Sequence, residues 1–384
     1  MIWCRSLHFG STRCASTSQY FDVVVVGGGL VGNAMACIIG QNPQLSSKRV
    51  LLLEGGKVNS LPSIPPEHYS NQLGVWKRIK SYRAKKVNKL RVIDNCSKAE
   101  LEFDRPSKDQ EIAYIVENNA IIGALYDKIK QSCSSVEVRT GVTVKNCIGA
   151  DGGRSTVRQA LNANYTAYNY DQSGVVATLV VEAADDNDIA WQRFFRAGPI
   201  AYLPLAKNLS SLVWCTSAEE AERLLSLAKD EFFTEEDQID CVNKTLFAFS
   251  KIPLVAKKLG PTPQPPHVIA LQGDTRAAFP LGLRCALIGD AAHRTHPLGG
   301  QGVNLGWNDV AVLNRILARA ALDGADLGAL TYLRDYDTQA QRHNIPVMVS
   351  CDWLNRLYRT NAAPIVMLRS LGLAAFHRLT PVKV

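Results

Sequence analysis

The sequence predicts an α/β fold: a Rossmann-type parallel sheet, an inserted and mainly antiparallel second sheet, and helices toward the C-terminal end. Three observations predict it. A short apolar run ends in a glycine-rich turn, and a second apolar run ends in an acid. In the middle third, β-rich pieces alternate with Gly, Pro, Asn and Asp.

The 384 residues allow two domains, at roughly 100–200 residues per domain. Apolar residues make up 46% and charged residues 20%, which excludes a disordered chain. No stretch approaches the ~20 uninterrupted apolar residues of a membrane-spanning helix. The ten cysteines include no CxxC, which argues against a zinc site and a secreted disulfide scaffold and fits a reducing compartment. Net charge is +8, from 43 Lys and Arg against 35 Asp and Glu, too dispersed to propose nucleic acid. The densest basic stretch holds Lys77, Arg78, Lys80, Arg83, Lys85, Lys86, Lys89 and Arg91. It reads first as a solvated face, and second as a patch for an acidic partner or an anionic membrane surface.

The elements follow in order. Residues 1–21 are basic, rich in Ser and Thr, and free of acids, the pattern of a mitochondrial transit peptide. Residues 21–26 are predicted as a buried parallel strand, 33–40 as a helix, and 49–53 as a second strand ending at Glu54. Pro62, Pro65 and Pro66 break the pattern. Helical periodicity begins near Asn119 and runs through Ile121, Ile122, Leu125 and Ile129. Residues 175–181, 200–205 and 209–215 are the β-rich pieces, followed by an acidic helical stretch over 218–233 and a connector at Pro261, Pro263, Pro265 and Pro266. Residues 286–288 form a last short strand, leading through glycines to a helix from about Gly302.

Three motifs carry chemistry. Gly27, Gly29 and Gly32 fit GxGxxG between a strand and a helix. There the glycines permit a tight turn, close approach of a pyrophosphate and close helix–strand packing. Glu54, 22 positions after Gly32, can accept hydrogen bonds from a ribose. This motif alone does not separate FAD from NAD. The second runs from Gly149 through Asp151, Gly152, Gly153, Arg154, Ser155 and Arg158; by itself it reads equally as a turn before a helix capped by Ser155. The third is Gly289-Asp290-Ala291-Ala292-His293, then Pro297, Gly299, Gly300, Gln301, Gly302 and Asn304. A strand ends at an acid able to bind a sugar-like hydroxyl, and a helix start can stabilise negative charge. His293 and His296 read as structural. Trp191, Phe194, Phe195 and Trp214 read as core of the second sheet ahead of pocket wall.

In this order the motifs resemble those of the aromatic-ring flavoprotein monooxygenases with the para-hydroxybenzoate hydroxylase fold. Finer stretches resemble the mitochondrial ubiquinone-biosynthesis branch: Tyr114-Ile115-Val116-Glu117-Asn118, Asn169-Tyr170-Asp171-Gln172, Ala190-Trp191-Gln192-Arg193-Phe194, Gly198-Pro199-Ile200-Ala201, Phe279-Pro280-Leu281 and Gln341-Arg342-His343-Asn344. The resemblance implies FAD as cofactor, held by Gly27, Gly29, Gly32, Glu54, Asp151, Arg154, Asp290, Gly302 and Asn304. It puts Pro297, Gly299 and Gly300 at the catalytic face, with no metal. The implied reaction is hydroxylation at C5 of a polyprenylated 4-hydroxybenzoate by O2, through a C4a-hydroperoxyflavin.

The implied partners are a ferredoxin with its reductase and other ubiquinone-biosynthesis enzymes in a complex. The implied location is the matrix side of the mitochondrial inner membrane, as a peripheral protein. The expected division is a transit peptide at 1–21 and a discontinuous FAD-binding domain at 22–76, 113–165 and 273–345. A substrate-binding sheet domain takes 77–112 and 166–272, and a C-terminal helical segment 346–384.

The chain departs from the family pattern by shortenings after Asn71, before Gly149 and between Leu283 and Arg284. Gly299 stands where alanine is usual, and Asn308 where glycine is usual. The shortenings imply reduced activity, or an impaired subunit of FAD-binding fold in the biosynthetic complex. An NAD-dependent dehydrogenase would explain the first motif but not the third.

Overall fold

The two N-terminal apolar runs form β1 (Val23–Val26) and β2 (Val50–Glu54), which pair in parallel. Val50, Leu51, Leu52 and Leu53 are all buried, so both faces of β2 are covered, as in a sheet clad by helices. Between them runs α1 (Leu30–Gln41), completing a βαβ unit. This helix starts three residues before the predicted one because the glycine turn itself supplies its N-cap, Gly29. The computed structural model describes residues 20–56, 73–104, 111–140, 148–161, 163, 170–181, 186–227 and 284–378. The transit-peptide reading of 1–21 (apart from its last two residues), the proline breaks at 62–66 and 261–266, and the shortened joints lie wholly or partly outside these residues.

The chain continues through α2 (Trp76–Arg83), β3 (Ala84–Val87), β4 (Lys89–Asp94), β5 (Glu100–Asp104), β6 (Ala113–Val116) and α3 (Asn118–Ser132). After β7 (Val136–Thr140), β8 (Ile148–Gly149) and α4 (Thr156–Ala160) come β9 (Ser173–Val180), β10 (Ile189–Phe194), β11 (Pro199–Ala206), β12 (Leu209–Thr216) and α5 (Ala218–Ser226). Three long helices follow, α6 (Gly302–Leu322), α7 (Leu330–Arg359) and α8 (Ala363–Arg378).

The first sheet has the order β7-β2-β1-β8 and is parallel throughout. A parallel bridge from Gly149 to Leu287 sets the third motif's apolar run beside β8. One face of this sheet buries Met35, Ile39, Leu52, Leu125, Ile129 and Ile316 under α1, α3 and α6. The other buries Val26, Leu51, Leu53, Val157 and Leu287. A second sheet has the order β5-β4-β10-β11-β12-β9 and is antiparallel except for the β4–β10 pair. Its α5 side buries Leu179, Ile200, Leu212 and Leu224, against which the half-buried Trp191, Phe195 and Trp214 pack. Phe194 points the other way and stacks on Tyr358 of α7 at 4.0 Å. β3 and β6 form a separate antiparallel pair. β6 has no counterpart in the sequence reading, which saw only the helix behind it.

The basic stretch is laced with acids. Arg78, Arg83, Lys85, Lys86, Lys89 and Arg91 pair with Asp127, Glu117, Asp186, Glu111, Glu102 and again Glu102, respectively. These half-exposed pairs neutralise the patch. α7 runs unbroken through the segment boundary expected at 345/346, with Pro346 inside the helix. A proline there removes one backbone hydrogen bond. The buried row Tyr336, Ala340, Asn344, Met348, Cys351, Asn355 and Tyr358 spans the interruption and holds both halves to the body. α8 is clasped to β4 by a buried pair, Arg369 Nε to Asp94 Oδ2 at 2.9 Å and Nη2 to Oδ1 at 3.0 Å. Among the described residues no helix is long and apolar enough to cross a membrane.

Candidate active site

The first glycine turn is built by backbone contact. Gly27 has a φ of 102°, a left-handed value that favours glycine, and its N–H donates to the Leu53 carbonyl at 2.8 Å. A Cβ on Gly32 would run into the carbonyl oxygen of Gly27 and come within 3.3 Å of the Ala150 Cβ. The turn therefore closes on itself and on the second motif. Gly29, in contrast, faces open space. Glu54 ends β2 beneath the turn, accepting the Gly28 N–H through Oε2 and the Gly56 N–H through Oε1 at 2.7 Å. Each oxygen keeps a further lone pair for a sugar hydroxyl.

The second motif is a helix cap. Asp151 Oδ2 accepts the Thr156 N–H at 2.7 Å and the Thr156 hydroxyl at 2.9 Å, while Ser155 Oγ accepts the Arg158 N–H at 2.9 Å. Arg154 is exposed. The arginine that joins the motifs is Arg158, which was not among the expected site residues. It is buried and donates to the carbonyls of Ala291 and Gly153, both at 2.7 Å. The signal for it was present in the motif, but a five-residue helix is too short for periodicity to separate its inner face from its outer one.

The third motif wraps a buried acid. Asp309 on α6 is fully buried and accepts the Gly289 N–H at 2.8 Å, His293 Nε2 at 2.7 Å and Asn344 Nδ2 at 2.8 Å. His293 is thus structural, as expected. Asp290 turns outward, half exposed, with Arg294 at 3.6 Å. Burial lowers the pKa of Arg294, and the Asp290 charge works against that. Pro297 and Gly299 bound a single 3-10 turn, and Gly300 ends it with a φ of 60°. Gln192 of β10 donates to the Leu298 carbonyl at 2.7 Å, so the second sheet touches this turn. Gly300 and Gly302 face open space, and Asn304 is exposed with its amide on Gln301 Oε1 at 3.1 Å.

These residues fit a flavin dinucleotide. The N-caps of α1 and α6, Gly29 and Gln301, make no side-chain cap bond, and neither helix has an acid in its first turn. Two sets of backbone N–H groups, each beside glycines that face open space, are therefore available to anionic or electron-rich groups. The bridge from β8 to Leu287 and the bonds of Arg158 hold the motifs together. Among the described residues no His, Cys, Asp or Glu cluster could hold a metal ion.

A model of the FAD binding domain matches residues 127–345. The fold is also that of p-nitrophenol 4-monooxygenase PnpA from Pseudomonas putida, with a TM-score of 0.63 at 17% identity, covering 93% of each chain. The matched domain and the motifs together define an FAD-binding protein. The ubiquinone biosynthesis monooxygenase COQ6, mitochondrial, of Caenorhabditis elegans is 46% identical over 97% of this chain and 96% of its own length. Its human counterpart is 38% identical over 96% and 92%. The chain belongs to this family of ubiquinone biosynthesis monooxygenases. The worm alignment runs over 437 positions against the 384 residues of this chain, so the relative carries segments without a counterpart here.

Proposed function

We propose that the chain hydroxylates C5 of a polyprenylated 4-hydroxybenzoate in ubiquinone biosynthesis. The observation that carries this reading is the pairing of two uncapped helix starts, at Gly29 and Gln301, with a second sheet that touches the turn just before the second of them. Gly27, Gly29 and Gly32 would seat the FAD pyrophosphate at α1, and Glu54 would accept its ribose hydroxyls. Asp290 would hold the ribityl chain, with Asp151 and Arg154 at the entrance. Gly302 and Asn304 would lie along the pyrimidine edge, where the start of α6 favours negative charge. Pro297, Gly299 and Gly300 would face the ring to be hydroxylated, and the second sheet would exclude water above it. Bound FAD supplies the oxygen-transfer chemistry with O2. The domain division is proposed as 22–76, 113–165 and 273–345 for FAD and 77–112 with 166–272 for substrate.

A ferredoxin with its reductase is the proposed electron donor, and the other enzymes of the pathway are proposed as neighbours in a complex. The proposed location is peripheral, on the matrix side of the mitochondrial inner membrane. Supporting it, α8 carries no acid, and Met367, Leu368, Leu371 and Phe376 lie exposed, as do Trp353 and Leu354 of α7. The neutralised basic stretch is the weaker candidate for this contact. The reading is tested by extracting FAD from the purified chain and assaying ring hydroxylation with a reduced ferredoxin system. FAD recovery and a hydroxylated product are expected; a folded chain without FAD would overturn it. A second reading, an impaired form, is favoured by the segments missing against the worm relative. It predicts that a chimera restoring them raises both FAD occupancy and rate.

A further inference from the structure

We propose that His296 and Gln172 act as one positioning unit for the turn at 297–300, an inference that rests on the flavin reading above. Both are buried, at 1% and 4% exposure. The Gln172 amide can point only one way, because its Nε2 donates to the Ala197 carbonyl and leaves Oε1 toward the ring. Oε1 carries no hydrogen, so His296 Nε2 donates to it, at 2.9 Å. Nδ1 then accepts the Leu298 N–H at 3.1 Å. Both ring nitrogens are engaged, and the imidazole is neutral with its proton on Nε2.

The contacts around the pair come from three directions. Tyr170 sets its ring edge-on to His296 at 4.9 Å, and Asn355 of α7 shares Gln172 Oε1 at 3.3 Å. Gln192 of β10 holds the Leu298 carbonyl. The other side of the turn, at Gly300 and Gly302, is open. A turn locked on one side and open on the other presents its backbone N–H groups at fixed positions to whatever binds there. Capping alone does not require this arrangement, since a shorter side chain at 296 could accept the Leu298 N–H. The length of histidine adds the reach to Gln172, and through it the turn is tied to the segment leading into β9. Sequence alone gave the stretch 169–172 no role.

The test is a double-mutant cycle on the full chain, His296→Asn, Gln172→Leu and both, read by FAD titration and by the visible spectrum of the bound flavin. His296→Asn keeps the cap and loses the link. Each single substitution is expected to weaken FAD binding roughly tenfold and shift the spectrum, with the double no worse than the weaker single. Fully additive losses, or a His296→Asn chain with unchanged affinity and spectrum, would overturn the proposal. If Gln172→Leu does not fold, the affinity and spectrum of His296→Asn decide alone. An unsubstituted chain that binds no FAD overturns the flavin reading itself, and this proposal with it.

Discussion

The two glycine turns of the candidate site look alike in sequence and are held by different physics. The turn at Gly27–Gly32 is backbone packed on backbone: Gly32 against the Gly27 carbonyl, Gly27 against the Ala150–Asp151 peptide. The turn at Pro297–Gly300 is held by side chains: Gln192 of β10 on the Leu298 carbonyl and His296 on the Leu298 N–H, with Gln172 before β9 and Asn355 of α7 behind the ring. Backbone packing gives a turn that only glycine can make. A side-chain network gives one whose position depends on residues elsewhere in the chain, and can be tuned by changing them.

The largest effect is expected at a second side-chain network, the one around the buried acid that holds the start of the third motif. Asp309→Ala strips the acceptor from the Gly289 N–H, His293 and Asn344 at once. Each buried donor left unpaired costs about 1–3 kcal/mol, and a domain has only ~5–15 kcal/mol in hand. A melting curve should show a large loss of stability or no folded protein. A variant melting within a few degrees of the parent would break the comparison, since the third motif would then not depend on its buried side chains.

Gly32→Ala tests the other turn. The new methyl meets the Gly27 carbonyl, which is backbone and has no rotamer to yield, so the β1–α1 junction must shift. The expected cost is about 3 kcal/mol, with FAD binding lost together with stability in one thermal and titration experiment. Normal FAD affinity would show that the turn has slack.

Asp290→Ala should separate binding from folding. Its carboxylate is half exposed and spends its charge on Arg294 at 3.6 Å, so stability should change little. Charge-assisted hydrogen bonds to a ribityl chain contribute about 1.5–3 kcal/mol, so FAD affinity should fall roughly ten- to hundredfold. Unchanged affinity would remove Asp290 from the site.

The difference between the turns also explains what could be read from the sequence. Gly27, Gly29, Gly32 and Glu54 form a local pattern, because the steric demand that selects them acts within one βαβ unit. Both strands of that unit and α3 were legible for the same reason, as apolar runs and helical spacing. Gln172, His296 and Asn355 meet across separations of 124 and 183 positions, and no spacing rule spans such distances. β4 and β5 hid within charged sequence, because Lys89 and Arg91 are matched across the strand pair by Glu102 rather than by apolar neighbours. Pro346 suggests a break, yet α7 is continuous, because its buried row is fixed by tertiary packing.

The smallest effect is expected at Asp337, an acid on α7 outside both turns. It is partly buried and accepts from Gln341 Nε2 at 2.8 Å, against the three partners of Asp309. Burial pushes its carboxyl above the ordinary range, and the Gln341 bond only partly offsets this. A carboxyl with a raised folded pKa binds its proton more tightly in the native state. Its contribution to stability is therefore greatest below the unfolded pKa and declines as pH rises through the folded one. Asp337→Asn keeps an acceptor for Gln341 and carries no charge at any pH. It should melt slightly higher than the parent at neutral pH, by about 1 °C, and the gap should close in acid where both side chains are uncharged. A neutral-pH loss of stability in this variant would mean that the fold holds the ionised Asp337 carboxylate and that burial does not raise its pKa.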